Sequence, residues 1–257
     1  MNPFNEKTMK QQIYNLIILD ESGSMGCVTR QTLNGCNETL NTIRSAQEKY
    51  VETQEHFVSI YAFQSRGSRP SRYLFKNQPV ENVKHITSDD YVPWGSTPLN
   101  DAVGSTLADL KAIVRRAENA IGSVTIITDG EENSSEKYTT EKVACMIEAL
   151  KEMGWNFNFI GANIDVVETA QRYCIDNALE FQQDDAGTEE MFLHERNSRM
   201  RYYDRMNEVQ VCCMAAPSMC DEDRQAMLRQ ASDHYFDEEA TAEETKDDKL
   251  NVNSQPC

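Results

Sequence analysis

The chain has 257 residues, 39% hydrophobic and 26% charged, which is enough apolar material for one sizeable core under a soluble surface. A formal net charge of −17 opposes the phosphate backbone of nucleic acids and the surface of anionic membranes, so neither is an expected partner. The charge is uneven: from Asp221 to the end stand 11 acidic and 4 basic residues, leaving −10 for everything before them.

No apolar run approaches the roughly 18 residues of a membrane span. Residues 1–12 are polar and lack the apolar stretch of a secretion signal. Eight cysteines are scattered along the chain, and the nearest group, Cys212, Cys213 and Cys220, has no His or second Cys pair at zinc-finger spacing. These features predict free thiols in a reducing, cytoplasmic setting.

In chain order, residues 13–19 form a β-branched apolar run that stops at Asp20 and reads as a central buried strand. After a polar loop, 20–26, apolar residues recur at Leu33, Cys36, Leu40, Ile43, Ala46 and Tyr50, the spacing of one helix face. Residues 56–63 read as the next strand, and 67–93 as an irregular connection along the sheet edge with a short strand at 72–75. Ser96-Thr97-Pro98 opens a second helix, with Pro in the first turn and the preceding hydroxyl as cap. Leu99, Val103, Leu107, Leu110 and Ile113 give that helix its apolar face.

Residues 124–128 read as a strand ending at Asp129, 140–153 as a helix stopped by Gly154, and 155–160 as an alternating strand. Asp165 with Glu168 has the form of a capping box for a short helix. A weak strand near 178–181 precedes a last helix, starting at Gly187-Thr188 and reaching about Met206. The arginine- and tyrosine-rich part of that helix, including Arg199, is read as a packed helix with a charged outer face. Strands alternating with helices predict an α/β class domain with a doubly wound sheet. The domain is expected to span residues 11–210, with 211–257 an acidic extension disordered from Asp237 onward.

Three polar clusters fall where strands end or a helix begins: Asp20-Glu21-Ser22-Gly23-Ser24, Gly95-Ser96-Thr97-Pro98, and Thr128-Asp129-Gly130. In open α/β sheets the carboxyl ends of the strands share one rim, where ligands bind at the point of reversed strand order. Together the clusters bring two carboxylates and three hydroxyls, an all-oxygen set suited to Mg2+ or Mn2+ and not to zinc or copper. Such a set leaves the ion short of charge and ligands, so a water or an outside carboxylate completes it. Gly23 and Gly95 permit the loops to come close. Plainer readings exist for each part. Asp20, Ser22 and Ser24 could form a helix-capping turn, Asp129 could cap its own loop, Glu131 and Glu132 read as a solvated rim, and Trp94 reads as packing.

Asp20-Glu21-Ser22-Gly23-Ser24 resembles the Asp-x-Ser-x-Ser signature of the metal-ion-dependent adhesion site in von Willebrand factor A-type domains. Thr97 and Asp129 match its other two elements, in order, over roughly residues 11–210. The resemblance implies a mostly parallel sheet of about six strands, flanked by helices, with one short antiparallel edge strand. It also implies that Ser22, Ser24 and Thr97 coordinate the ion through hydroxyls, and that Asp20 and Asp129 do so directly or through water. The polar N-terminus and scattered cysteines place the chain nearer to compact intracellular bacterial or phage members than to animal receptors. The expected function is a non-catalytic protein-binding module that captures an Asp or Glu carboxylate of a partner protein.

The alternative is a Mg2+-dependent phosphatase or phosphotransferase with Asp20 as nucleophile. Enzymes of that kind, similar to haloacid dehalogenases, carry a second acid two residues on, where this chain has Ser22, and no matching lysine element follows. No Gly-rich loop for ATP or a dinucleotide is present.

Overall fold

The computed structural model describes residues 10–237 apart from 66, 118 and 217. At its centre lies β1 (Gln11–Asp20), in which every residue except Gln12 is buried. It pairs in parallel with β2 (Gln54–Phe63) on one side and β4 (Ala120–Thr128) on the other. A strand covered on both faces has little use for polar alternation, which is why residues 13–19 read as an apolar run interrupted only by Asn15.

β5 (Asn156–Gly161) and β6 (Asn177–Glu180) extend the sheet in parallel beyond β4. β3 (Arg72–Pro79) closes the other edge antiparallel to β2, giving the order β3-β2-β1-β4-β5-β6. The strand order therefore reverses between β1 and β4, which makes that junction the natural ligand crevice. The sheet matches the expected α/β class: six strands, mostly parallel, with one antiparallel edge.

The flanking helices are α1 (Thr29–Lys49), α2 (Leu99–Val114), α3 (Thr140–Lys151), α4 (Val166–Arg172), α5 (Asp185–Ala215) and α6 (Asp221–Ser232). α1 packs against α5, and α2 against α3. The first pair come so close that a Cβ on Gly35 would stand 2.1 Å from the Phe192 ring, so only glycine fits there. Ile18 and Ile126, on adjacent strands, are fully buried, each worth about 1.5–3 kcal/mol relative to exposure.

Three features differ from the sequence reading. α5 begins at Asp185, two residues before Gly187, because the Asp184 side chain caps it by accepting from the Gly187 N–H at 2.8 Å. It also continues past Met206 to Ala215, since Val209 and Gln210 are still buried, so a boundary at residue 210 falls inside a helix. Beyond it, α6 lays Leu228 into the core, and Tyr235 and Phe236 follow. The expectation of disorder from Asp237 onward falls, apart from Asp237 itself, outside the described residues.

The third difference concerns the arginine-rich stretch of α5. Arg199 does not lie on an outer face: it is 1% exposed and enters the core beside Glu195, also 1% exposed. Its guanidinium donates to Glu195 (2.7 Å), Thr125 of β4 (2.8 Å), and Asn15 of β1 and Tyr203 (both 3.3 Å). Tyr203 donates to Asn15 at 2.7 Å, and Thr39 of α1 donates to the second Glu195 oxygen at 3.3 Å. A charge can enter an interior when its partners are supplied in this way.

Candidate metal-ion site

β1 ends at Asp20 and β4 at Thr128, and the register pairs Leu19 with Ile127, so the loops bearing Asp20 and Asp129 leave the sheet side by side. Asp20, Ser22, Thr97 and Asp129 are all buried, whereas Ser24 is exposed and opens the cluster to solvent. Asp20 turns its own loop: one carboxylate oxygen accepts from the Ser22 N–H at 2.7 Å. Its other oxygen accepts from the Thr128 hydroxyl at 2.6 Å, which ties the ends of β1 and β4 together. The Ser22 and Ser24 hydroxyls stand 3.1 Å apart, and Ser24 donates to Asp129 Oδ1 at 2.8 Å.

Thr97 reaches the same place from the third loop. Its Oγ1 lies 3.4 Å from the position a Cβ would take on Gly130, next to Asp129. Asn133 fixes its backbone on both sides, with Thr97 N–H donating to Asn133 Oδ1 at 2.9 Å and Asn133 N–H to Thr97 O at 3.2 Å. Gly95, at φ 78°, turns the chain in the left-handed region, and its carbonyl accepts from Gly23 N–H at 3.1 Å. The two glycines therefore bring the first and second loops into direct contact, and all five sequence-predicted side chains meet on one rim.

Three neighbouring expectations are corrected. The residue at the N-cap of α2 is Pro98, and no hydroxyl of Ser96 or Thr97 caps the helix. Glu132 does so instead, accepting from Asn100 N–H at 2.7 Å, while the Ser135 hydroxyl accepts from Asp101 N–H at 2.9 Å. Glu132 is thus half-buried and engaged, not a solvated rim residue, and Thr97 is left available to the cluster. Trp94, expected to pack, is 59% exposed beside the site.

The electrostatics follow from burial. The Asp20 carboxyl is pushed up to about 7, chiefly because its charged form is desolvated, with the Asp129 charge adding and bonds from Thr128 and Ser22 opposing. Asp129 is also raised, again by burial first, against hydrogen bonds from Ser24 and Gln183. Among the described residues neither carboxylate has an ion pair. The nearby cations are taken by Glu21, wholly buried, which receives Arg72 at 2.6 and 3.0 Å and pairs with Arg69 at 3.5 Å, while the neutral Gln64 amide donates to it at 2.7 Å. A hard cation fits what remains: two carboxylates unfavourable as bare anions, and hydroxyls with lone pairs to give. Among the described residues no group of three or more His, Cys, Asp or Glu side chains could hold a metal ion, so hydroxyl oxygens are indispensable to this donor set.

Sequence reasoning missed Glu21, Arg72, Asn133 and Gln183. None carries a periodic signal. Only the position of Glu21 inside the Asp-x-Ser-x-Ser run could have drawn notice.

No family model matches the sequence, and no curated protein matches it. Solved structures do. The open conformation of the pilus adhesin SpaC from Lactobacillus rhamnosus GG aligns at 12% identity with a TM-score of 0.57, over 75% of this chain and 30% of that one. A second form of the same adhesin gives 11% identity and a TM-score of 0.54, over 75% and 31%. A von Willebrand factor type A protein from Catenulispora acidiphila aligns at 18% identity with a TM-score of 0.48, over 74% and 43%. The chain shares its fold with the pilus adhesin. It spans about a third of the length of the adhesin it matches. Within this fold the oxygen cluster sits at the strand-order reversal, and among the described residues no helix is long and apolar enough to cross a membrane.

Proposed function

We propose that the chain is a non-catalytic binding module in which Asp20, Ser22, Ser24, Thr97 and Asp129 hold one Mg2+ or Mn2+ ion. The ion then takes up an Asp or Glu carboxylate from a partner protein. The observation that carries this reading is the meeting of two burial-strained carboxylates and three hydroxyls with no cationic partner among the described residues. Mg2+ takes about six oxygens in a near-octahedral shell. Five side chains leave at least one position to water or to a carboxylate from outside, and a −1 ligand also relieves the remaining positive charge. The fold is shared with a pilus adhesin, a protein whose work is binding.

The cytoplasm of a bacterial or phage-infected cell is the setting we propose, in keeping with seven free thiols among the described residues. Trp94, exposed beside the rim, supplies an apolar contact for the partner. A nucleophilic Asp20 lacks the second acid that such chemistry calls for, since Ser22 stands two residues on.

The test is a calorimetric titration of Mg2+ and Mn2+ into the metal-stripped protein and into Asp20→Ala and Thr97→Ala. Ion binding by the native protein and its loss in both variants, with unchanged circular dichroism, is the expected result. Partner capture is expected only with the ion present. Equal capture in EDTA by all three proteins would sink the reading.

A further inference from the structure

The loop between β6 and α5 sends one side chain onto the cluster, from a part of the chain where the sequence showed no motif. Gln183 Nε2 donates to Asp129 Oδ2 and, at 3.0 Å, to the backbone carbonyl of Ser24. Its Oε1 in turn accepts from the Asn163 side-chain amide, which belongs to the loop after β5. One half-buried amide therefore joins loops that follow β1, β4, β5 and β6.

A glutamine amide has two N–H donors, and here both are spent on the chain itself. It is therefore not free to read a partner; it is a staple. It also divides the Asp129 carboxylate. Oδ2 goes to Gln183, while Oδ1 faces Ser24, and through Ser24 the rest of the cluster. The partial positive charge of the amide stands against a buried carboxylate, and so holds the Asp129 and Ser24 loops together.

We propose that Gln183, steadied by Asn163, is a positioning residue that keeps Asp129 and the Ser24 loop at ion-ready spacing. The inference rests on the ion-binding reading above. Groups that orient metal ligands from behind commonly contribute about 10- to 100-fold to affinity, and removal of this staple is expected to weaken Mg2+ and Mn2+ binding roughly tenfold.

The experiment titrates both ions calorimetrically into the full-length native protein, Gln183→Met, Asn163→Gly, Asp129→Asn and the double variant Gln183→Met/Asp129→Asn. Methionine keeps the length and bulk of the side chain without its donors. Glycine suits the left-handed backbone of Asn163, at φ 58°, and removes only the amide. The expected result is a roughly tenfold loss for Gln183→Met, a smaller loss for Asn163→Gly, and no further loss from Gln183→Met once Asp129 is Asn. The melting midpoint in EDTA is expected to fall only slightly for Gln183→Met and Asn163→Gly, as for the loss of a few loop hydrogen bonds.

A purely structural side chain would lower that midpoint and leave the ion affinity of the folded fraction alone. Native-like affinity in both single variants overturns the inference and leaves the ion-binding reading standing. Native protein that binds neither ion overturns both. A Gln183→Met chain that fails to fold, together with native-like affinity in Asn163→Gly, also overturns the inference.

Discussion

Two polar clusters are built into the same sheet, one beneath α5 and one at the carboxyl rim, and they differ in whether they are closed. Beneath α5, Arg199 meets Glu195, and the remaining donors and acceptors find Asn15, Thr125, Thr39 and Tyr203. Charge balances and nothing is left for a ligand. At the rim, Asp20 and Asp129 bring two carboxylates with no counter-charge among the described residues, and both are held above the usual carboxylate range. Burial of polar groups alone does not mark a site. A buried cluster whose charge fails to balance does, because only something from outside can complete it.

Opening the closed cluster has the largest expected effect. Arg199→Met leaves the Glu195 carboxylate buried without its partner, and the breaking of one side of a buried pair typically costs about 3–5 kcal/mol. Urea unfolding should show that loss for Arg199→Met and a smaller one for Arg199→Met with Glu195→Leu. If the single variant is as stable as the native protein, the cluster is not the balanced structural unit described here.

The same operation at the rim should go the other way. Asp20→Asn keeps the shape of the side chain and removes a charge that burial disfavours, so the metal-free variant should be at least as stable as the native protein. What it loses is the gain from ion binding, about 2.7 kcal/mol for the native protein at an ion concentration 100 times Kd. Melting curves with and without Mg2+ measure both effects. A native-sized Mg2+ shift in Asp20→Asn would leave the rim cluster without its proposed ion.

His56 of β2 sharpens the contrast, because it lies beside the closed cluster and must stay neutral. Burial first, then the Arg199 charge, lowers its imidazole from 6.5 to about 3. Tyr203 packs edge-on against it, and Gln54 and Asn15 meet its two nitrogens. Below pH 6.5 the unfolded chain binds a proton at this position that the folded chain refuses. Stability is therefore fully present above 6.5 and falls as the pH drops towards 3, by about 2 kcal/mol at pH 5. The difference between native protein and His56→Asn across that range isolates the effect from titrating carboxylates. Parallel curves for the two proteins would show that His56 is protonated in place.

These contrasts also explain what could be read in advance. The strands β1 and β4 and the helices α1 and α2 were legible because burial imposes a period on apolar residues, and the meeting of the three polar loops because strand ends and the following helix start share one rim. Arg199 was not. An arginine inside a helix looks the same in sequence whether it faces water or core, and besides Glu195 and Tyr203 on its own helix its burial needs Asn15 and Thr125, on strands far away along the chain. Gln183 was illegible for the same reason, since its partners Ser24, Asp129 and Asn163 come together only through the sheet. Glu132 was misread because acidic residues after a strand usually face solvent, whereas here three serine and asparagine N–H groups claim it.

Glu132 offers the smallest effect and the finest discrimination between a support and a ligand. Its carboxylate accepts from Asn100 N–H at 2.7 Å, and from Ser134 and Ser135 N–H at 2.8 and 2.7 Å, which binds the loop after β4 to the first turn of α2. Asp101 answers from the helix by accepting from the backbone of Glu136, Lys137 and Tyr138, and those bonds lower its own carboxyl against the effect of burial. Thr97 stands between, one residue before the N-cap Pro98. Glu132→Ala should cost about 1 kcal/mol, the usual worth of a helix cap. The ion affinity should fall only a few-fold, because Asn133 still pins Thr97 through its own amide and backbone. Loss of ion binding as complete as in Asp20→Ala would instead mean that Glu132 reaches the ion itself, and the five-residue set would then have to be redrawn.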